Sequence, residues 1–140
     1  MSLQMILAPL FVQVLLTLVV AYMLAGHRMR AALQGEVPDR AALREPTWPA
    51  HLRQVENNYL NQFELPVLFY VLTILAVITR HADFFFVLMA WVFVVLRIFH
   101  AYVHLTSNVL RVRGMLFVAG AVVLTIMWIV FIVRILFGLP

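Results

Sequence analysis

Four long apolar runs, separated by polar segments, dominate the pattern of the chain. They cover roughly residues 5–25, 59–79, 84–106 and 115–137, and each is close to the ~20 residues that a membrane-spanning helix requires. Little sequence remains outside them for a soluble domain. The pattern therefore predicts an all-α fold, an integral membrane four-helix bundle that forms a single transmembrane domain over residues 1–140.

The segments between the runs predict where the helices break. Pro66 is expected to kink the second span. The short segment "RHAD" leaves room only for a tight turn, so spans two and three should be antiparallel neighbours. Gly114 is the expected break before the fourth span. Residues 26–56 are predicted to form a loop that becomes helical at its far end and continues into the second span.

The composition agrees with a membrane protein. Hydrophobic residues make up 65% of the chain and charged residues only 11%, and the mean hydropathy of +1.01 lies far above the balance of a soluble domain. The absence of cysteine excludes disulfides, thiolate metal sites and a thiol nucleophile carried by the protein. Any thiol chemistry therefore needs a sulfur atom that arrives on a ligand.

The positions of the arginines predict the orientation in the membrane. The net charge of +4 comes from arginines, and most of them lie just beyond the ends of the apolar runs, which favours a topogenic role over a nucleic-acid partner. If all four runs span, Arg80 and Arg134 fall on one side. By the positive-inside bias, the loop at 26–56 is cytoplasmic and both termini are outside. The arginines of the cytoplasmic side are Arg28, Arg30, Arg40, Arg44, Arg53, Arg111 and Arg113.

A polar stripe runs along the third span. At ~100° per residue, five polar side chains of this span project within about 80° of one another. A second polar face lies on the preceding span by the same arithmetic, and antiparallel packing would place the two faces at the same depth. The first set is Arg97, His100, His104, Asn108 and Arg111, and the second is Arg53, Asn57, Asn61 and Glu64.

Three interpretations of the stripe remain open. An ionisable group in a span costs on the order of 2.5 to 3.5 kcal/mol, so these groups should face the bundle interior, a cavity or a partner. They could form a structural pair between Arg97 and Glu64, a metal site on His100 and His104, or a small-molecule site. Guanidinium groups beside one carboxylate and several amides suit a flexible anion that carries carboxylates and an ammonium. We therefore favour the small-molecule site and predict no metal.

Motifs in three spans resemble the MAPEG family, the membrane-associated proteins in eicosanoid and glutathione metabolism. They are the basic "HRMR" that ends the first span, "NQFELP" with its Asn-x-x-Glu, and "RIFH". "NQFELPVLFY" and "RIFHAYVHLTSNVLRVRGMLF" are most similar to a bacterial branch of the family. The resemblance implies a homotrimer in a bacterial inner membrane, with glutathione held between subunits near the cytoplasmic face. It also implies a glutathione-dependent transferase or peroxidase that acts on lipophilic small molecules.

The resemblance also implies roles for individual residues. Asn61 and Glu64 would bind the glutathione peptide, and Arg97 and His100 would line the polar floor of the site. Arg113, or alternatively Arg111, would stand beside the sulfur, where a guanidinium stabilises a thiolate. The complete set of predicted glutathione-binding residues is Arg28, Arg30, Arg53, Asn57, Asn61, Glu64, Arg97, His100 and His104.

The sequence departs from the family pattern at three positions. Asn57 stands where the family commonly has an arginine, and His104 and Phe117 stand where it has tyrosines. Two alternatives to an enzyme therefore stay open. The chain could be a non-catalytic membrane protein that keeps the fold, or a small transporter of anions or lipids.

Overall fold

The computed structural model describes residues 1–36 and 48–139. Within these ranges the chain forms helices connected by short turns, and the predicted all-α fold is confirmed. Four segments are long and apolar enough to cross a membrane, because the second and third helices together make one of them, Ala50–Ile78. The helices are α1 Leu3–Leu33, α2 Ala50–Asn61, α3 Leu65–Ile78, α4 Phe84–Leu105 and α5 Leu110–Phe137.

The helices extend further than the apolar runs. Helix α1 continues to Leu33, so the predicted loop at 26–56 is helical at its beginning, while its far end is helical from Ala50, as expected. The rest of that segment, with Arg40 and Arg44, lies outside the described residues. The predicted break at Gly114 is wrong, because this glycine lies inside α5. The chain turns earlier, at Asn108, which has a φ of 49°, a left-handed conformation that asparagine tolerates well.

A break in the second span positions the polar groups. Helix α2 ends at Asn61, and α3 begins at Leu65 with Pro66 in its first turn. Proline is accepted there because the first helical residues need no N–H partner. The kink expected at Pro66 is therefore present as an interruption just before it. An interruption of this kind frees backbone carbonyls at the end of α2.

Helix α4 lies at the centre of the bundle, in contact with α1, α2 and α5. Its N-terminal half buries apolar side chains, and the ring of Phe93 lies 4.8 Å from that of Phe69 on α3. Gly120 on α5 faces the same phenylalanine, so α5 packs closely at this level. The C-terminal half of the same α4 face buries charged and polar side chains instead. The buried apolar residues at the centre of this core include Phe69, Leu72, Ala90, Phe93, Val94 and Leu124.

Asp83 begins α4 and ties it to the end of α5. Its Oδ1 accepts from the N–H of Phe86 at 2.8 Å, and its Oδ2 lies 2.7 Å from Nη2 of Arg134. Burial raises the pKa of Asp83, but the hydrogen bonds from Arg134 and from the Phe86 N–H, with the charge of Arg134, outweigh it and hold that pKa below 3.8. The ionised form is therefore favoured in the folded protein.

We expect Asp83 to make stability depend on pH in acid. A carboxyl with a depressed folded pKa contributes stability above its unfolded pKa, and this contribution is lost as the pH falls through the folded value. Because the pair is partly exposed, the contribution should be below about 1 kcal/mol. Asp83→Asn keeps the capping oxygen but not the charge, so its unfolding free energy should change less than that of the wild type between about pH 6 and pH 3. Equal acid sensitivity of both proteins, by unfolding in detergent, would contradict the pair.

Candidate functional site

Arg97, His100 and His104 lie on the buried face of α4. Their exposed fractions are 1%, 2% and 2%, so these stripe residues face the bundle interior, as predicted. The other two stripe residues behave differently. Asn108 and Arg111 are exposed, because the helix ends before them and the turn into α5 changes the direction of the chain.

Arg97 hydrogen bonds to the interrupted second span. Its Nη2 donates to the carbonyl oxygen of Asn61 at 2.9 Å, a carbonyl freed by the end of α2. Its Nε and Nη1 are buried without a hydrogen-bond partner among the described residues. A charged group held in this way destabilises the fold, because each buried donor without a partner costs about 1 to 3 kcal/mol.

The predicted pair between Arg97 and Glu64 is wrong as a contact. Across residues 1–36 and 48–139, the ion pairs closer than 4 Å are Arg28–Glu56 and Arg134–Asp83. Glu64 lies in the interruption between α2 and α3 and is exposed. Arg97 bonds to the backbone at Asn61 instead, with Glu64 still within electrostatic range.

The side chain of Asn61 connects Glu64 to His104. One orientation of its amide satisfies both neighbours: Nδ2 then donates to the Glu64 carboxylate oxygens at 3.1 and 3.3 Å. The other amide atom, which is then the oxygen, lies 3.4 Å from Nδ1 of His104. A carboxylate, an amide and an imidazole therefore form one group beside Arg97.

A chain of buried amides lies behind this group. Nε2 of Gln13 on α1 donates to Oε1 of Gln62 at 3.1 Å, and Nε2 of Gln62 donates to Oδ1 of Asn58 at 3.0 Å. Nδ2 of Asn58 in turn donates to the carbonyl oxygen of Ala101 on α4 at 3.0 Å. Sequence reasoning missed Asn58 and Gln62. The sequence feature that could have indicated them is their spacing of four residues, which places both on the same face as the apolar Val55.

The predicted polar face of α2 is therefore rotated away from α4. The residues that α2 buries are Leu52, Val55 and Asn58, whereas Arg53 and Asn57 are exposed. Arg53 still makes an interaction within the protein. Asn61 lies between the two faces, half-buried, and is the member of the predicted set that reaches the α4 stripe.

Arginines surround the same end of the bundle. Arg28 on α1 forms an ion pair with Glu56 on α2 and lies over the ring of Trp48, 5.9 Å from its centroid. Arg30 is exposed in the last turn of α1. On α5, Arg113 donates from Nη1 to Oδ1 of Asn108 at 2.7 Å and lies within electrostatic range of both stripe histidines. No such interaction with the histidines is seen for Arg111 in the part of the chain that the structure describes.

The two histidines pack against each other and against α5. Their ring centroids are 5.8 Å apart in an edge-to-face arrangement, and the ring of Phe117 lies 6.0 Å from that of His100. Nδ1 of His100 is buried without a partner among the described residues. Glu64 does not join the histidines as a third ligand, and no group of three metal-binding side chains is found in residues 1–36 and 48–139.

The fold and the site together define a multi-pass α-helical membrane protein with a charged, partly enclosed cluster at one end of its bundle. The family model of MAPEG matches residues 6–133, nearly the whole chain, and the chain belongs to the MAPEG family. The comparisons gave no match among curated proteins and none among solved structures.

Proposed function

We propose that this MAPEG protein is a glutathione-dependent transferase or peroxidase that acts on lipophilic electrophiles or hydroperoxides at the membrane. The observation that carries the proposal is the connected group of Glu64, Asn61 and His104 beside Arg97. The family resemblance predicts that these residues bind glutathione. MAPEG includes glutathione-dependent transferases, and the retained buried charge argues for a functional role of the site.

The chemistry of the cluster suits glutathione. The exposed Glu64 carboxylate can accept from the ammonium group of the tripeptide, and the amide of Asn57 can bond to its peptide groups. Arg30 is a better candidate than Arg28 for a carboxylate of the ligand, because the guanidinium of Arg28 already pairs with Glu56. Arg53 lies on the same exposed face.

A homotrimer is part of the proposal. Glu64 is exposed on the protomer yet lies within the second predicted span at 59–79. Polar groups at that depth avoid lipid and face protein or water, and a second copy packed against α2 would enclose them together with glutathione. We also propose a bacterial inner membrane on the basis of the family resemblance. The arginine distribution supports an orientation with both termini outside and the loop at 26–56 in the cytoplasm.

Arg113 is the proposed catalytic residue. Its guanidinium beside the glutathione thiol would favour the thiolate, which is the reactive form of the sulfur. The thiolate would attack an electrophilic carbon, or the terminal oxygen of a hydroperoxide, and the lipophilic substrate would reach it by diffusion in the bilayer. Arg113 is preferred over Arg111 because it is half-buried and lies in electrostatic range of the histidines.

Anion binding or transport without chemistry is the second candidate. The observation that favours it is the contact between Phe117 and His100, which puts an apolar ring where the family has a tyrosine hydroxyl. A site with arginines and no such hydroxyl can hold an anion without activating it.

Titration of the purified protein in detergent with glutathione, by calorimetry and thiolate absorbance together, tests the proposal. We expect saturable binding with a thiolate signal, and a loss of about tenfold or more of that signal in Arg113→Ala, equivalent to a shift of one pKa unit or more. Arg111→Ala is the matched variant, on the same turn of α5, and should keep the signal.

The outcomes separate the candidates. Loss of the thiolate signal in Arg111→Ala alone would make Arg111, and not Arg113, the catalytic arginine. A full signal in both variants would remove the arginines from the chemistry. No binding at millimolar glutathione would reject the enzyme and leave another anion as the ligand, which flux measurements in proteoliposomes would then examine.

A further inference from the structure

The hydrogen bonds of Asn61 determine which nitrogen of His104 carries the proton. The Asn61 amide donates to Glu64, so its oxygen faces Nδ1 of His104. An oxygen can only accept, and Nδ1 must therefore be the protonated nitrogen of the neutral ring. Nε2 is left with a free lone pair and can accept a hydrogen bond or a proton.

Nε2 of His104 is available to a ligand. It has no hydrogen-bond partner among the described residues, and it is not among the unpartnered atoms sealed inside the protein, which include Nδ1 of His100. The backbone around it is held in place, because Gln54 donates from Nε2 to the carbonyl oxygen of His104 at 2.6 Å. The cluster thus presents an uncharged acceptor nitrogen among guanidinium groups that can only donate.

We propose that His104 is the base that takes the thiol proton of glutathione, and that Asn61 and Glu64 are positioning residues that hold its ring for this task. The inference rests on the proposed function. In the step, the S–H bond breaks, an N–H bond forms at Nε2, and the electron pair stays on the sulfur as a thiolate beside Arg113. The step changes no oxidation state and needs no further reactant.

The charges that face His104 make its protonation depend on the thiolate. Burial opposes an imidazolium at His104, and so do the guanidinium groups of Arg113, from α5, and of Arg97, on its own helix. His100 also faces the ring from the same helix. A thiolate at the site offsets this opposition, while the Glu64 carboxylate accepts from the Asn61 amide whose oxygen faces the ring. The imidazolium and the thiolate should therefore form together, as an ion pair that keeps the proton inside the protein.

The number of protons released on binding tests this coupling. Calorimetric titration with glutathione in two buffers of different ionisation enthalpy measures proton release, while absorbance measures the thiolate. S-methylglutathione, which has no thiol proton, corrects for other groups. In the wild type we expect thiolate formation without release of a proton. In His104→Gln, whose amide can accept at the same place but cannot hold a proton, the thiolate signal near neutral pH should fall about tenfold, and any remaining thiolate should release its proton to the buffer.

The two proposals fail in different ways. Thiolate formed with stoichiometric proton release in the wild type would overturn the role of His104 and leave the glutathione function standing. An unchanged thiolate signal in His104→Gln would do the same. The absence of any thiolate signal in the wild type would overturn both proposals.

The ring nitrogens can also be observed directly. In protein labelled with ¹⁵N-histidine, the His104 signals, assigned by their loss in His104→Gln, should report a neutral ring protonated at Nδ1 in the absence of ligand. Asn61→Leu should convert this signal to a mixture of the two neutral forms. A ring protonated at Nε2 in the wild type would overturn the inference.

Discussion

Replacement of Phe93 by alanine is expected to lower the unfolding free energy by about 3 kcal/mol, near the lower end of the range for deletion of a buried aromatic ring. Phe93 is fully buried, its ring lies 4.8 Å from that of Phe69, and it fills the space beside Gly120. Lipid tails are as apolar as a phenylalanine, so the loss comes from dispersion contacts and not from hydration. The cavity left by the missing ring would remove contacts of α4 with both α3 and α5.

Phe99→Ala is the matched control for this prediction. Phe99 lies on the same helix but is 55% exposed, and lipid can fill the space that its ring leaves. Its removal should change the unfolding free energy by less than about 0.5 kcal/mol. Unfolding in mixed micelles, followed by circular dichroism, measures both variants. Similar losses for both would mean that the ring of Phe93 is not a central packing contact.

The lengths of the apolar runs were sufficient to predict most of the fold. The third run was predicted at 84–106 and α4 covers Phe84–Leu105, because hydrocarbon thickness limits both the run and the helix. The predicted start of the fourth span was wrong because α5 begins four residues before Gly114. A glycine with open space around it does not break a helix by itself.

The orientation of α2 could not be predicted from the spacing of its residues. Asn57 and Asn61 mark one polar face of this helix, and Asn58 and Gln62 mark a neighbouring face with the same spacing. Hydrophobic periodicity cannot choose between two polar faces. The choice depends on Gln13 from α1 and the Ala101 carbonyl from α4, which bond to the second face, and those partners are known only once the helices are packed.

The buried face of α4 was predicted better because the other faces of this helix are apolar. On that helix, burying Arg97 and His100 leaves aliphatic and aromatic side chains for the lipid, so the cost of exposing a charge decides the orientation. The partner of Arg97 was missed for a different reason. The carbonyl of Asn61 becomes an acceptor only where α2 is interrupted, and a backbone acceptor leaves no residue type in the sequence to mark it.

The interruption before Pro66 connects these observations to function. It frees the carbonyl that holds Arg97, turns Glu64 outward, and leaves Asn61 half-buried between the two. An unbroken helix would satisfy that carbonyl internally and leave Arg97 without its bond. The cost of a buried guanidinium and an interrupted helix brings no evident gain in stability, which is typical of residues kept for a binding site.

Asn58→Leu should lower stability but keep glutathione affinity, whereas Asn57→Leu should keep stability but weaken glutathione binding. Asn58 is fully buried and bonds to both Gln62 and the Ala101 carbonyl, so its loss leaves a buried amide without its partner. Interhelical hydrogen bonds in membranes average only about 0.6 kcal/mol, but an unpaired buried group adds about 1 to 3 kcal/mol. We expect Asn58→Leu to lower the unfolding free energy by about 2 kcal/mol in total.

Asn57 is the neighbouring residue and is exposed on the face that we assign to glutathione. Asn57→Leu should leave the unfolding free energy within about 0.5 kcal/mol of the wild type and weaken glutathione binding, whereas Asn58→Leu should retain the affinity in the fraction that stays folded. Both are measured by unfolding in micelles and by calorimetric titration. If Asn57→Leu proved the more destabilising of the two, α2 would have to be rotated in its packing, with its predicted polar face turned to α4 after all.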